Sequence, residues 1–424
     1  MPRALGTALL AFVAALAAGA AAFFSGVEIS GEFLRPRIER ALSAAFGLPT
    51  RLEGPLKLRT GMTATLTADA LVVADPAAGA GAILGRGIRP RARIDLVALL
   101  RGTVALDEVT GERLELALAR GADGRGNWSP LFTRSPGGGE PSVTFDGIAR
   151  LRIGRIAGSY RREGDAPLPF EITDFDGGLP RHAPITASGG FRSGVHAFTF
   201  ELRTASLEGF GAATAPIEGA IDWSGLRATF DGEFVRGGSR LDARVHATAA
   251  DAGSLLAALG LAASEPGPLE ARLHLNLAAG EATMRDLALR IGDLNAAGEV
   301  GVTWAGTRPR VAARLAAGTI DLRPYLAGAR STNRIWPEAF VDWLQRFATG
   351  VDAEVSLSAT GIAGLAVEVG ELAVEGHSRD LTVDMTVAAQ VAGVQIRSNV
   401  DYDARQPRRT LAVGIDSGRA STAA

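Results

Sequence analysis

The sequence contains no cysteine and a single lysine, Lys57. Without cysteine there is no disulfide framework and no thiolate chemistry, so packing and backbone pairing alone must hold the chain together. Neither sign of charge dominates. The 44 Lys and Arg residues face 46 Asp and Glu, a net charge of −2, which argues against nucleic-acid binding as the main business. The five histidines, His182, His196, His246, His274 and His377, are scattered, and none stands in an HxH or HExxH spacing. His274 alternates with Arg272 and Asn276 and reads as a surface residue. There is no Gly-x-Ser-x-Gly elbow. The glycine run SPGGGEP at 135–141 lacks the Lys-Ser/Thr that a phosphate-binding loop needs. TDFDGG, with Asp174, Asp176 and Gly177, hints at a calcium loop but lacks the closing Glu, and reads as a β-turn. No catalytic, cofactor-binding or metal-binding residue is expected, and the chain is read as a non-enzyme.

What the chain has in quantity is glycine, 53 residues, with frequent Gly, Pro and Asp turns between short apolar runs. That pattern points to β structure. At 424 residues the chain is too long for one compact core.

Residues 4–27 read ALGTALLAFVAALAAGAAAFFSGV and carry no charge. At 1.5 Å per residue they are long enough to cross a bilayer. Arg3 precedes them and Glu28 and Glu32 follow, a bias that keeps the N-terminus in the cytoplasm. The alternative is a cleaved signal peptide, with a small-residue site near 18–22. Both place the bulk of the chain outside the cytoplasm.

Next, Leu34, Ile38, Leu42 and Phe46 recur every four residues, which predicts a helix over 31–46 with one apolar stripe. Pro36 suits its first turn, and Gly47 and Pro49 end it. The helix either docks on its own domain or lies on a membrane surface. From residue 50 onward the period changes to two. Leu114, Leu116 and Leu118 alternate with Glu115 and Ala117, and Leu273, Leu275 and Leu277 oppose Arg272, His274 and Asn276. Leu287, Leu289 and Ile291 oppose Asp286, Ala288 and Arg290, and HAFTFELRT presents Phe198 and Phe200 together. Two further helices are predicted, over 251–261 with Asp251 as N-cap and over 337–347 with Pro337 at its first position. Residues 271–306 and 352–393 repeat a similar meander loosely. Only three short helices stand against some two dozen strands, so strands must hide one another's apolar faces. A sandwich or barrel would do so, and so would a long curved antiparallel sheet whose apolar groove takes an apolar guest.

Several segments together resemble the N-terminal region and body of AsmA-like proteins. They are the apolar N-terminal stretch, GLPTRLEGPLKL, TATLTADALVVAD and RARIDLVALLRGTVALDEVTGERLELALARGADGRGNW. Asp123, Gly124, Asn127 and Trp128 match the family's DG-x-x-NW turn, and IARLRIGRIAGSYRREG and LALRIGDLNAAGEVGVTWAG resemble its later body. The resemblance implies a single-pass inner-membrane protein of Gram-negative bacteria with a periplasmic bulk. It implies a bridge-like, chorein-type lipid carrier, linked to outer-membrane phospholipid supply, with no catalytic residues.

The expected organisation is an anchor (1–27), a chorein-like β domain with one amphipathic helix (28–134), a linker (135–141), a β-groove body (142–330), and a helix with further meander (331–424) that continues beyond residue 424. Phe198, Phe200, Leu273, Leu275, Leu287 and Leu289 are the expected groove residues. The expected partners are phospholipid acyl chains, the inner membrane and outer-membrane assembly proteins, with no nucleic acid and no cofactor. The alternative function is a non-catalytic periplasmic scaffold that assists outer-membrane protein assembly.

Overall fold

The computed structural model describes residues 28–60, 63–79, 81–94, 103–121, 126–131, 144–209, 213–235, 240–258, 267–278, 280–304, 308–323, 350–405 and 410–417. These hold twenty-four strands and two α-helices. The chain divides into two compact units, Met1–Ala215 and Pro216–Ala424.

The first unit opens with β1 (Glu28–Ser30) and α1 (Arg35–Phe46). Short strands follow: β2 (Thr50–Glu53), β3 (Lys57–Arg59), β4 (Ala64–Thr67), β5 (Ala70–Ala74), β6 (Ile83–Ile88) and β7 (Arg91–Ile94). Then come the long β8 (Thr103–Arg120) and β9 (Thr144–Arg162), and β10 (Leu168–Pro180), β11 (Ile185–Ser193) and β12 (His196–Thr204). Two short ladders, β1-β3-β4-β7 and β2-β5-β6, both end on one edge of β8. The other edge of β8 pairs with β9 in parallel, and β9 to β12 continue as an antiparallel meander. The predicted linker at 135–141 lies outside the described residues, but the strands on either side of it run side by side in one ladder.

Helix α1 forms where the four-residue spacing predicts it, after a 3-10 turn at Glu32–Leu34, and Gly47 ends it in the left-handed conformation at φ 67°. Its apolar stripe docks on its own unit. Leu34 and Ile38 pack on a core of Leu56, Leu58, Ala64, Leu66, Ala68, Ile94, Leu106 and Ile148, all buried. A second stripe, Arg35, Glu39 and Ser43, binds the backbone beside the helix. Arg35 Nη1 donates to the Leu52 carbonyl at 2.5 Å, Glu39 accepts from Leu52 N–H at 2.8 Å, and Ser43 Oγ accepts from Thr50 N–H at 2.9 Å. The edge of β2 that faces away from β5 is thereby occupied.

The DG-x-x-NW signature is described from Gly126 onward. Asn127 Oδ1 accepts from Ala119 N–H at 3.0 Å, and its Nδ2 donates to buried Asp75 at 2.6 Å and to the Ala117 carbonyl at 2.9 Å. Asp75 in turn accepts from Ala77 and Ala78 N–H at the start of a 3-10 turn. A Cβ at Gly126 would lie 2.3 Å from the Trp128 ring, so only glycine fits there. The motif ties the end of β8 to the loop after β5.

The second unit takes up β13 (Thr214–Trp223), which begins at the boundary. It contains β14 (Leu226–Val235), β15 (Arg240–Ala249), α2 (Gly253–Ala258), β16 (Leu269–Ala278), β17 (Glu281–Ile291), β18 (Leu294–Thr303) and β19 (Arg310–Asp321). After residues 322–351 come β20 (Asp352–Ala363), β21 (Val369–Arg379), β22 (Thr382–Val391), β23 (Val394–Asp403) and β24 (Thr410–Ser417). Every neighbouring pair from β14 to β24 is antiparallel except β19 with β20, which is parallel. The two loosely repeated segments, 271–306 and 352–393, correspond to β16–β18 and β20–β22.

TDFDGG, expected as a turn, lies inside β10. Asp174 takes φ 52° at a bulge between Thr173 and Asp176, so the chain kinks there without reversing. Among the described residues no helix is long and apolar enough to cross a membrane. The expected span at 4–27 and the helix predicted at 337–347 lie outside the described residues.

Candidate functional site

In the second unit the register aligns the apolar residues into rows that cross the strands. Gly232, Ala243, Leu275, Met284, Val300, Ala313, Val355, Gly376, Met385 and Val400 stand opposite one another from β14 to β23. A neighbouring row runs Phe234, Leu241, Leu277, Ala282, Val302, Val311, Ala353, Ser378, Val383 and Tyr402. At about 4.8 Å between strands, each row is roughly 40 Å long. The apolar set stays on one face because side chains alternate along each strand and the register does not slip out of phase.

The other face is polar. Asp242 accepts from Asn276 at 2.9 Å and stands 2.6 Å from His274 Nε2. The bond with His274, helped by Asn276, holds the Asp242 carboxyl below its ordinary value. Glu299 and Arg314 pair across β18 and β19 at 2.9 Å. Such exposed pairs contribute little to stability, but they mark which face meets water.

What covers the apolar face decides its use. Helix α2 covers one part: Leu256 on the helix packs with Ala247, Ala249, Ala252, Leu269 and Ala271, all buried. Beyond it, Leu273, Leu275, Leu287, Val300, Leu315, Leu357 and Val374 are only half-buried. Two apposed sheets would bury such side chains completely. Among the described residues of this unit these side chains therefore stand on an uncovered part of the face, whereas Val383, Val400 and Tyr402 on β22 and β23 form a buried cluster of their own.

The six groove residues expected from sequence fall in two places. Leu273 and Leu275 on β16 share the apolar face with Leu287 and Leu289 on β17, and all four are half-buried. Leu289 lies opposite Ala271 and packs on the cluster under α2, so it is the most sheltered of them by position. Leu273 sits beside a bulge, where the register shifts between Arg272 and His274. Phe198 and Phe200 belong to the first unit, also half-buried. Phe198 stacks on Phe191 with ring centroids 4.7 Å apart, and Phe191 stacks on Phe170 at 6.1 Å. This aromatic ladder continues across the register through Ile172, Ile156 and Leu114. Phe170, Phe191, Met284, Val300 and Leu315 belong to the same faces and were not singled out from sequence. The alternation that marked Leu273 and Leu275 marks them equally.

The arginines at 86–93 are largely engaged. Arg86 pairs with Glu53 and Arg89 with Glu112, each at 2.9 Å, and Arg93 with Glu108 at 3.4 Å. Glu108 also holds Arg152, and these two guanidinium groups, Arg152 first, keep its carboxyl below the ordinary value. Arg150 does the same for Asp176 of TDFDGG at 2.5 Å. Among the described residues no group of three His, Asp or Glu side chains is placed to hold a metal ion.

No protein-family model, curated protein or solved structure matches the chain.

Proposed function

We propose that the chain is an AsmA-like, membrane-anchored periplasmic protein that holds or conducts phospholipid acyl chains along an apolar β-face, without catalysis. One observation carries the reading: in the second unit Leu273, Leu275, Leu287, Val300, Leu315, Leu357 and Val374, from β16 to β21, stay partly exposed on one face while the opposite face carries the ion pairs. An open apolar face in water is unfavourable by about 25 cal/mol per Å², and an acyl chain laid along it would remove that cost. The scaffold reading needs a dry interior between sheets, and half-buried leucines do not favour it.

The test is photocrosslinking in cells of a Gram-negative bacterium expressing the full chain. A photoreactive residue at Leu275 or Val300 should capture phospholipid, identified by mass spectrometry, and one at Asn276 or Arg314 on the polar face should not. Leu287→Asp should abolish capture at Leu275 while the protein stays folded and membrane-bound. Equal capture from both faces, or none from either in folded protein, refutes the proposal.

A further inference from the structure

The outward side of α1 carries a side-chain set that packing does not require. With Leu34 and Ile38 turned to the core, Phe33, Arg37, Arg40 and Ala44 are exposed at spacings of four, three and four residues, one stripe along the helix and the turn before it. Phe33 leaves 66% of its surface in solvent, and Ile29 in the edge strand β1 leaves 42%. The acids nearby are already engaged. Glu28 holds Lys57 at 2.8 Å, Glu32 holds Arg35 at 2.6 Å and accepts from Leu56 N–H, and Glu39 accepts from Leu52 N–H. Arg40 Nε donates back to the Pro36 carbonyl at 2.9 Å. The stripe is thus cationic with one large exposed aromatic at its start.

That combination suits one kind of partner. An aromatic ring enters the headgroup layer of a bilayer, and guanidinium groups bind its phosphates. Phe33 lies six positions after residue 27, a reach of at most about 20 Å. We propose that Phe33, Arg37 and Arg40 form a contact with an anionic lipid surface and seat the start of the first unit against it. This rests on reading residues 4–27 as the membrane span.

The absence of cysteine makes the test direct, because single cysteines can be introduced and labelled. The full chain is reconstituted into phosphatidylglycerol/phosphatidylethanolamine vesicles with an environment-sensitive dye at Phe33→Cys, at Ala44→Cys, or at Val195→Cys in the 93% exposed turn between β11 and β12. Dyes at 33 and 44 should shift to the blue and be quenched by nitroxide-bearing lipid, and the dye at 195 should not. With the dye at 44, Arg37→Gln with Arg40→Gln, or vesicles of phosphatidylcholine alone, should cut the quenching at least about twofold, with flotation unchanged. High salt should act in the same direction. Protein that floats with the vesicles while the dyes at 33 and 44 behave like that at 195 overturns the contact and leaves the span standing. Protein that does not float overturns both.

Discussion

Leu269 and Leu275 lie on the same strand, β16, and six residues apart they share its apolar face. Leu269 is 6% exposed beneath α2, and Leu275 is half-buried beyond it. Replacing each by alanine therefore compares a covered and an uncovered position with chemistry held constant. At Leu269 the change removes buried methyl groups and leaves a cavity between α2 and the sheet, at a cost of about 3 kcal/mol. At Leu275 part of the side chain already meets water and no closed cavity forms, so the loss is about 1 kcal/mol. For a unit of about 200 residues, 1 kcal/mol corresponds to roughly 2–4 °C in melting temperature. Leu269→Ala should then lower the melting temperature of the second unit by about 6–12 °C and Leu275→Ala by about 2–4 °C. Scanning calorimetry on lipid-free protein, with urea unfolding as a second probe, reads both. Equal losses of about 3 kcal/mol would mean that β16 is covered along its whole length, as in a sandwich, and the open-face argument would fail.

Glu32 at the start of α1 has its carboxyl lowered to about 2 by the Arg35 guanidinium and the Leu56 N–H. A depressed folded value means that its contribution is present above the ordinary 4.5 and is lost as pH falls toward 2. Glu32→Gln should flatten the acid limb of the first unit's thermal stability in that window, and an unchanged limb would count against the pairing. Gly298 has φ 155° and lies across from Leu315, where a Cβ would sit 1.9 Å from the Arg314 carbonyl. Gly298→Ala should cost about 3 kcal/mol or more and loosen amide protection in β18 and β19, measured by hydrogen exchange. Asn127→Ala removes a bond to the buried Asp75 carboxylate and should destabilise the first unit by about 2 kcal/mol in chemical denaturation.

Much of the secondary structure was legible in the sequence, and the pairing was not. The stripe of Leu34, Ile38, Leu42 and Phe46 located α1, and the alternation in RLHLNL and RDLALRI located β16 and β17 together with the faces they present. Period-two alternation describes one strand and is silent about its neighbour. The parallel pairings of β8 with β9 and of β19 with β20 could not be read from it, although each sits where a long segment separates two strands, as a parallel connection demands. TDFDGG misled because Asp and Gly serve a bulge as well as a turn: both can take a residue at positive φ, as Asp174 does here, and only the register distinguishes them. The hold of Arg35, Glu39 and Ser43 on β2 was hidden because polar residues on a helix ordinarily signal solvent.

Alternation was equally silent on whether the apolar faces meet a second layer, and the pattern of burial supplies that. Apart from residues near α2 and the cluster of Val383, Val400 and Tyr402, the fully buried apolar residues of β14–β23 are alanines: Ala243, Ala282, Ala353 and Ala359. An alanine becomes buried without any covering layer when longer cross-strand neighbours overhang it, as Leu277 and Val302 flank Ala282 and as Leu372 stands beside Ala359. The longer neighbours do not become buried in return, because nothing longer overhangs them. A two-sheet core would reverse this order, since the tips of leucine and valine would interdigitate with the facing sheet and be the least exposed atoms. Buried alanines among partly exposed leucines are thus the pattern of a single layer, and a single layer with one apolar face is what an apolar chain can lie along.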